Sequence, residues 1–278
     1  MLIVDSQVHI WHNATMPNHH RRIATYSKDD LLKEMDEAGV DAALICPPSF
    51  LGVETNDLAW AAARQHPDRL AVMGWFELDN PASKETIKTW KARPDNYGAR
   101  WAMMHESQRG WWKDGTLDWL WPAAEQAGIP LAFLVRDNMA ELGAVAARYP
   151  HLKLTIDHIG RISGLRDDTA FATLPEMLAL AKYPNVSVKL SGAPSYSSDP
   201  YPYKNIHGYL RQIFDAFGPK RCFWGTDITR MPCSWRQCIT MFTEEMPWLK
   251  GRDLELVMGK ALCEWIGWDL ERIRAQKR

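Results

Sequence analysis

Eight short apolar runs rich in β-branched residues alternate with longer segments of helical periodicity along the whole chain, and few folds accommodate that alternation. The runs are 2–9, 41–46, 70–78, 98–103, 130–135, 153–158, 186–191 and 222–227. Between them, 28–38, 56–65, 83–91, 117–127, 139–149, 171–182 and 203–217 carry apolar residues at helical spacing, and 234–245 and 253–265 do so after the last run. Parallel strands need a crossover long enough to hold a helix, so strict alternation predicts a parallel sheet covered by helices. Eight such units within 278 residues predict an α/β protein, a single (β/α)8 TIM barrel, with one domain over 1–278.

Loop lengths sharpen that reading. Connections from helix into strand are short: 39–40, 66–69, 128–129, 150–152 and 184–185. Connections from strand into helix are long at 10–27, 104–116, 159–170, 192–202 and 228–233. A barrel shows this asymmetry when one rim is scaffold and the other carries the site. An open doubly wound sheet instead predicts a glycine-rich turn after the first strand, and residues 5–12 contain no glycine.

The net charge of −1 offers no electrostatic attraction to nucleic acid or an anionic membrane. No apolar run approaches the roughly 20 residues that span a bilayer. The five cysteines have no repeated spacing that would suggest a disulfide framework. The chain opens on Leu2-Ile3-Val4-Asp5, without a basic segment and a longer apolar core after it. These features predict a cytoplasmic protein whose partner is a small molecule.

Candidate chemistry gathers at three strand ends. The first run reads Val4-Asp5-Ser6-Gln7-Val8-His9-Ile10-Trp11, and alternation predicts that Asp5, Gln7 and His9 share the barrel's interior face. Three polar groups facing a core are costly unless bonded or used. The sixth run ends on Asp157-His158 before Gly160, and the eighth on Gly225-Thr226-Asp227. His9, His158 and Asp227 would therefore converge near the barrel axis. Asp227 is expected to be the general base, with burial raising its proton affinity. His9, His158 and Lys189 are candidate donors to an oxyanion, while Lys189 has the alternative of pairing with Asp157 or Asp5. Arg100, Arg161 and Arg230 follow strands four, six and eight, and their planar forks predict a small anionic substrate. Trp11, Trp101, Trp111 and Trp112 either wall a ring-shaped substrate or serve as packing. His19-His20-Arg21-Arg22 looks like a metal tract but is read, in so long a loop, as a solvated basic lid.

An Asp-x-His-x-His at the end of strand one, a His ending strand six and an Asp ending strand eight form the pattern of the amidohydrolase superfamily. Asp-Ser-Gln-Val-His-Ile-Trp, Gly-Trp-Phe-Glu-Leu-Asp (74–79), Gly-Ala-Arg-Trp (98–101), Asp-His-Ile-Gly-Arg, Val-Lys-Leu-Ser-Gly (188–192) and Trp-Gly-Thr-Asp resemble its branch of sugar-lactone and pyrone-dicarboxylate lactonases. The resemblance runs from Val4 to Trp265. It implies a hydrolase that opens a small carboxylated lactone by general-base activation of water, with Asp227, His9, His158, Gln7 and Lys189 in the catalytic group.

One departure matters: Gln7 stands where the family's first metal-binding histidine falls, and a two-metal centre lacks ligands. Lactonases of this branch are known that work without metal, so no cofactor is the expected case. The alternative is one zinc on His9, His158 and Asp227. Two rival readings remain: a zinc-dependent decarboxylase of an aromatic or muconate-like acid, and a catalytically silent barrel that binds or scaffolds.

Overall fold

A computed structural model describes residues 1–161, 163–269, 271 and 273. The expected single domain runs to residue 278; residues 162, 270, 272 and 274–278 of it lie outside the described residues. Eight strands form one sheet: β1 Val4–Val8, β2 Ala42–Ile45, β3 Leu70–Gly74, β4 Asn96–Ala102, β5 Leu131–Leu134, β6 Leu154–Ile156, β7 Val186–Lys189 and β8 Cys222–Phe223. Each pairs in parallel with the next in chain order. The two ends of the sheet meet through main-chain bonds: Ser6 N donates to Trp224 O at 3.2 Å and Asp227 N to Gln7 O at 2.8 Å. The (β/α)8 barrel expected from the alternation is the fold. No helix among the described residues is long and apolar enough to cross a membrane.

The helices follow local chemistry. Lys28–Ala38 begins at Ser27, which forms a capping box with Asp30, and ends at Gly39 with φ 82°, a left-handed cap that suits glycine. It buries Leu31, Met35 and Ala38, one stripe at helical spacing. The helix expected over 171–182 is instead broken into Asp167–Phe171, Leu174–Leu178 and a tight turn Ala179–Lys182. Pro175 lacks the N–H that a continuous helix would need there, so it sits in a first turn.

Strand β1 departs from plain alternation. Val4 packs in the interior with Ala42, Leu44, Ala71 and Phe223, whereas Val8 joins Ile45 in the layer between barrel and helices. Residues four apart in a regular strand share a face, so the register shift between Asp5 and Val8 is a bulge that flips the strand. The expectation that Asp5, Gln7 and His9 share one face fails for Asp5. Its carboxylate lies under the helical layer and accepts from Gln7 N (2.9 Å), Thr226 N (2.9 Å), Thr226 Oγ1 (2.5 Å) and Trp235 Nε1 (2.9 Å).

Asp5 thus ties both sides of the closing seam to the helix Trp235–Thr243. Asp5→Ala leaves four buried donors without an acceptor and is expected to cost about 3 kcal/mol or more. For a chain of this size that lowers Tm by roughly 6–12 °C, which calorimetry would read. An unchanged Tm would show that the seam closes without this carboxylate.

Candidate active site

The mouth at the strand C-termini is built on unusual backbone. His158 (φ 49°) and Asp227 (φ 58°) both adopt the left-handed region, which non-glycine residues seldom occupy. Such strain costs of order 1 kcal/mol or more at each position and is typical of functional sites. Strand β6 therefore stops at Ile156 and β8 at Phe223, earlier than their apolar runs suggest, and the chain turns at His158 and Asp227.

Side chains converge there as expected. His9 Nε2 lies 3.4 Å from Asp227 Oδ1, and His158 Nε2 lies 3.8 Å from Oδ2. Arg230 Nε pairs with Oδ2 at 3.0 Å. A fourth group was unexpected in this position. His20 is buried, its Nδ1 is 2.8 Å from Thr229 Oγ1, and its ring centre is 5.5 Å from that of His9. The solvated tract is a correction for His20, although His19 and Arg22 do face solvent. The physical reason is that the loop folds back over the mouth, where Arg21 N donates to Thr229 O at 2.8 Å.

Beneath this cluster lies a buried ionic network. Lys189 Nζ donates to Gln7 Oε1 at 2.8 Å and pairs with Asp157 Oδ1 at 3.0 Å. Arg100 Nε donates to Asp157 Oδ2 at 2.5 Å. Burial works to raise the Asp157 carboxyl, but Lys189 and Arg100 outweigh it and hold the group below its ordinary value. Of the two alternatives for Lys189, the structure shows the pairing with Asp157. Because an ammonium only donates, Gln7 must turn its oxygen to Lys189, and its Nε2 has no partner among the described residues.

The electrostatics of Asp227 reverse one expectation. Burial does favour its protonation, but His9, His20, Arg230 and His158 together hold the carboxyl well below its usual range. It stays ionised. His9 points its Nδ1 at the Cys46 carbonyl oxygen, so that nitrogen carries the proton and Nε2 presents a lone pair to Asp227. His9 is therefore no oxyanion donor while neutral. Burial also pushes its pKa below the ordinary value.

A lone pair facing a carboxylate oxygen that accepts no hydrogen bond among the described residues is an arrangement that suits a cation. The donor atoms of His9, His20 and Asp227 lie within 4.8 Å of one another, so this donor set fits one divalent ion. The expected set of His9, His158 and Asp227 differs from it in one member. His158 faces the other carboxylate oxygen and its Nδ1 is 2.9 Å from Ser191 Oγ.

The arginines and tryptophans divide. Arg230 joins the cluster, and its other nitrogens donate to Ser163 Oγ (2.7 Å) and Tyr196 Oη (2.9 Å). Arg100 is committed to Asp157. Arg161 donates to the carbonyls of Ile159 (2.8 Å) and Ala170 (3.1 Å) and to Thr173 Oγ1 (2.9 Å), bracing the loop after β6, while its Nη2 has no partner among the described residues. Trp11 is fully buried and braces the loop after β1 through Nε1 to Ile23 O at 3.0 Å. Trp112 packs against Trp121 and Phe133. Trp101 and Trp111 line a rim cavity of about 150 Å³ with Phe76, Glu77 and His105. Ser191, Tyr196 and Thr229 position the cluster and are not among the expected site residues; the local signals are Ser191 at the end of the seventh run, within the 188–192 motif, and Thr229, two residues past Asp227.

The comparisons agree with this architecture. A family model described as Amidohydrolase matches residues 4–277. An L-fucono-1,5-lactonase from Burkholderia ambifaria is 26% identical over 237 residues, covering 81% of this chain and 79% of that protein. A zinc-bound amidohydrolase structure from Burkholderia multivorans superposes with a TM-score of 0.83 at 20% identity, covering 96% of this chain and 99% of that one. A probable 2-pyrone-4,6-dicarboxylic acid hydrolase from Acinetobacter baumannii, with citric acid bound, gives 0.71 at 17% identity over 96% and 100%. With the strand order, the convergent mouth and a model that spans nearly every residue, the chain belongs to the amidohydrolase family.

Proposed function

We propose that the chain, as one barrel domain over 1–278, is a hydrolase that opens a small lactone ring with water. The carrying observation is Asp227: a buried carboxylate kept ionised among three imidazoles at the barrel mouth. Its likeness over 81% of the chain to a protein named L-fucono-1,5-lactonase supports a cyclic ester as the substrate class.

Ring opening asks for three things. Water must lose a proton as its oxygen bonds to the acyl carbon, the carbonyl oxygen must be stabilised as it gains charge, and the ring oxygen must receive a proton as the acyl C–O bond breaks. Asp227 takes the first proton and returns it to the ring oxygen; its weak hold on protons favours the return at the expense of the first transfer. Gln7 Nε2, an amide donor without a partner among the described residues, and His158 are the groups assigned to the oxyanion. With Ser191 Oγ–H donating to His158 Nδ1, the Nε2–H of His158 points to the reacting side. Lys189 acts as a positioning residue, since it fixes which end of the Gln7 amide faces the mouth. A divalent ion held by His9, Asp227 and a third donor would polarise the substrate carbonyl and favour ionised water there.

A carboxylated substrate is the finer part of the reading. We assign its recognition to Arg230, which lies at the mouth and would share its N–H groups among Asp227, Ser163, Tyr196 and the substrate. Arg161→Met should therefore raise KM by the same small factor for carboxylated and neutral lactones and lower Tm by a few degrees. A loss confined to carboxylated lactones would return Arg161 to the substrate.

The reading is tested by following proton release from six-membered sugar lactones and from carboxylated pyrones. Acid release well above the spontaneous rate is expected from at least one of them. Carbon dioxide release from aromatic acids, without lactone opening, would replace the hydrolase with the decarboxylase.

A further inference from the structure

Strand β1 supplies one imidazole to the mouth, and its other candidate position is lost to chemistry: Gln7 gives its oxygen to Lys189. The third donor comes from elsewhere. His20 lies on the long loop between β1 and the helix Lys28–Ala38, thirteen residues from Gln7, yet its donor atom is within 4.8 Å of those of His9 and Asp227. Its Nδ1 faces Thr229 Oγ1, which can accept that N–H and leave Nε2 as the lone-pair nitrogen. His9 is oriented in the same manner by the Cys46 carbonyl. Among the described residues Asp227 Oδ1 accepts no hydrogen bond, although the residue is only 2% exposed. The 3.4 Å between His9 Nε2 and Asp227 Oδ1 is close to the edge of a tetrahedron whose centre is about 2.0–2.1 Å from each vertex.

We propose that His20 is a ligand of a divalent transition-metal ion shared with His9 and Asp227, so that metal uptake and closure of the 10–27 loop are one event. The loop's other bonds explain why the ion would matter. Most of them hold the loop to itself: Trp11 and Tyr26 exchange main-chain bonds at 3.0 Å, and Ala14 N donates to Ala24 O at 2.9 Å. Its tip meets the barrel mouth through Thr229, by the His20 and Arg21 contacts, while Arg21 Nη1 reaches Glu34 on the first helix. An ion bridging His20 to two barrel residues would pin the tip far more firmly. Linkage then requires that a pinned loop binds the ion more tightly, by the same factor. This rests on the site described above but not on the reaction assigned to it.

The Arg21-Arg22 pair at the loop tip is a built-in trypsin site, with Arg22 exposed. The full-length protein is stripped with a chelator and titrated with Zn²⁺ by calorimetry, then digested with trypsin with and without Zn²⁺. One equivalent should bind, and Zn²⁺ should slow cleavage after Arg21 or Arg22. In His20→Ala the affinity should fall at least about 100-fold, the upper end of what losing a mere outer-shell partner costs, and zinc protection should vanish. His20→Gln, closer in size to the original side chain, should behave likewise and guards against a loop disturbed by truncation. Co²⁺ reports the same change through its visible absorption. No zinc uptake by the wild-type chain, wild-type affinity retained in both variants, or cleavage indifferent to zinc would overturn the proposal. No substrate is present in these assays. Their failure therefore leaves lactone opening standing, and a chain that binds zinc in this way but opens no lactone sinks only the proposed reaction.

Discussion

Asp227→Asn is expected to lower kcat by about 10²–10⁴, roughly 3–5.5 kcal/mol of transition-state stabilisation, the usual loss when a general base is removed. The substitution keeps the side chain's shape and the local backbone, although the buried Arg230 loses its counter-charge. Asparagine tolerates the left-handed backbone at this position better than most residues. The seam bond from the main-chain N of residue 227 to Gln7 O does not involve the side chain. Arg230 keeps Ser163 and Tyr196 as partners. What disappears is the negative charge between His9, His158 and Arg230, and with it the acceptor for the water proton. Steady-state kinetics beside metal analysis reads the result. If zinc is lost in step with activity and added zinc restores part of it, Asp227 acts chiefly as a ligand. A near-normal kcat would remove Asp227 from the reaction.

Asp157→Asn should be the most damaging substitution for stability. Arg100, Asp157 and Lys189 are almost wholly buried, and the carboxylate is the counter-charge for both cations. Removing it leaves two buried positive groups facing a neutral amide. Breaking a buried ion pair in this way costs about 3–5 kcal/mol. For a chain of this length that is a Tm lower by roughly 6–20 °C. Gln7 would lose its orientation at the same time, because Lys189 would be free to swing away from its amide oxygen. Activity should therefore fall even at temperatures where the variant is folded. A Tm within about 2 °C of the wild type, less than 1 kcal/mol on the same scale, would mean that Arg100 and Lys189 find other anions or water.

Much of this arrangement was legible from residues alone, and the parts that were not share a cause. Periodicity is a local property, so all eight strands and the helix Lys28–Ala38 could be read directly. His9, His158 and Asp227 were legible because strand ends in a barrel point to one mouth, whatever lies between them. Asp5 was misplaced because a bulge is a matter of pairing with the neighbouring strand, which alternation within β1 cannot report. His20 was misread because a loop that looks polar in sequence is buried by folding onto Thr229, more than two hundred residues away. Arg161 looked like a substrate arginine by position, but the carbonyls freed in the turn after β6 claim it first. The proton affinity of Asp227 came out with the opposite sign because desolvation is foreseeable from burial, whereas the surrounding basic groups come from four separate segments.

The claim that water opens a lactone at this mouth is tested most directly by the mass of the product made in oxygen-18 water. The purified chain is given a six-membered sugar lactone, or a carboxylated pyrone, in labelled water and stopped within the first few turnovers. The account predicts a product heavier than the substrate by one labelled water, with the label in the new carboxyl group, formed much faster than in the absence of protein and lost with Asp227→Asn. A lactone that remains unchanged, or an acid substrate that becomes lighter by carbon dioxide, would contradict it.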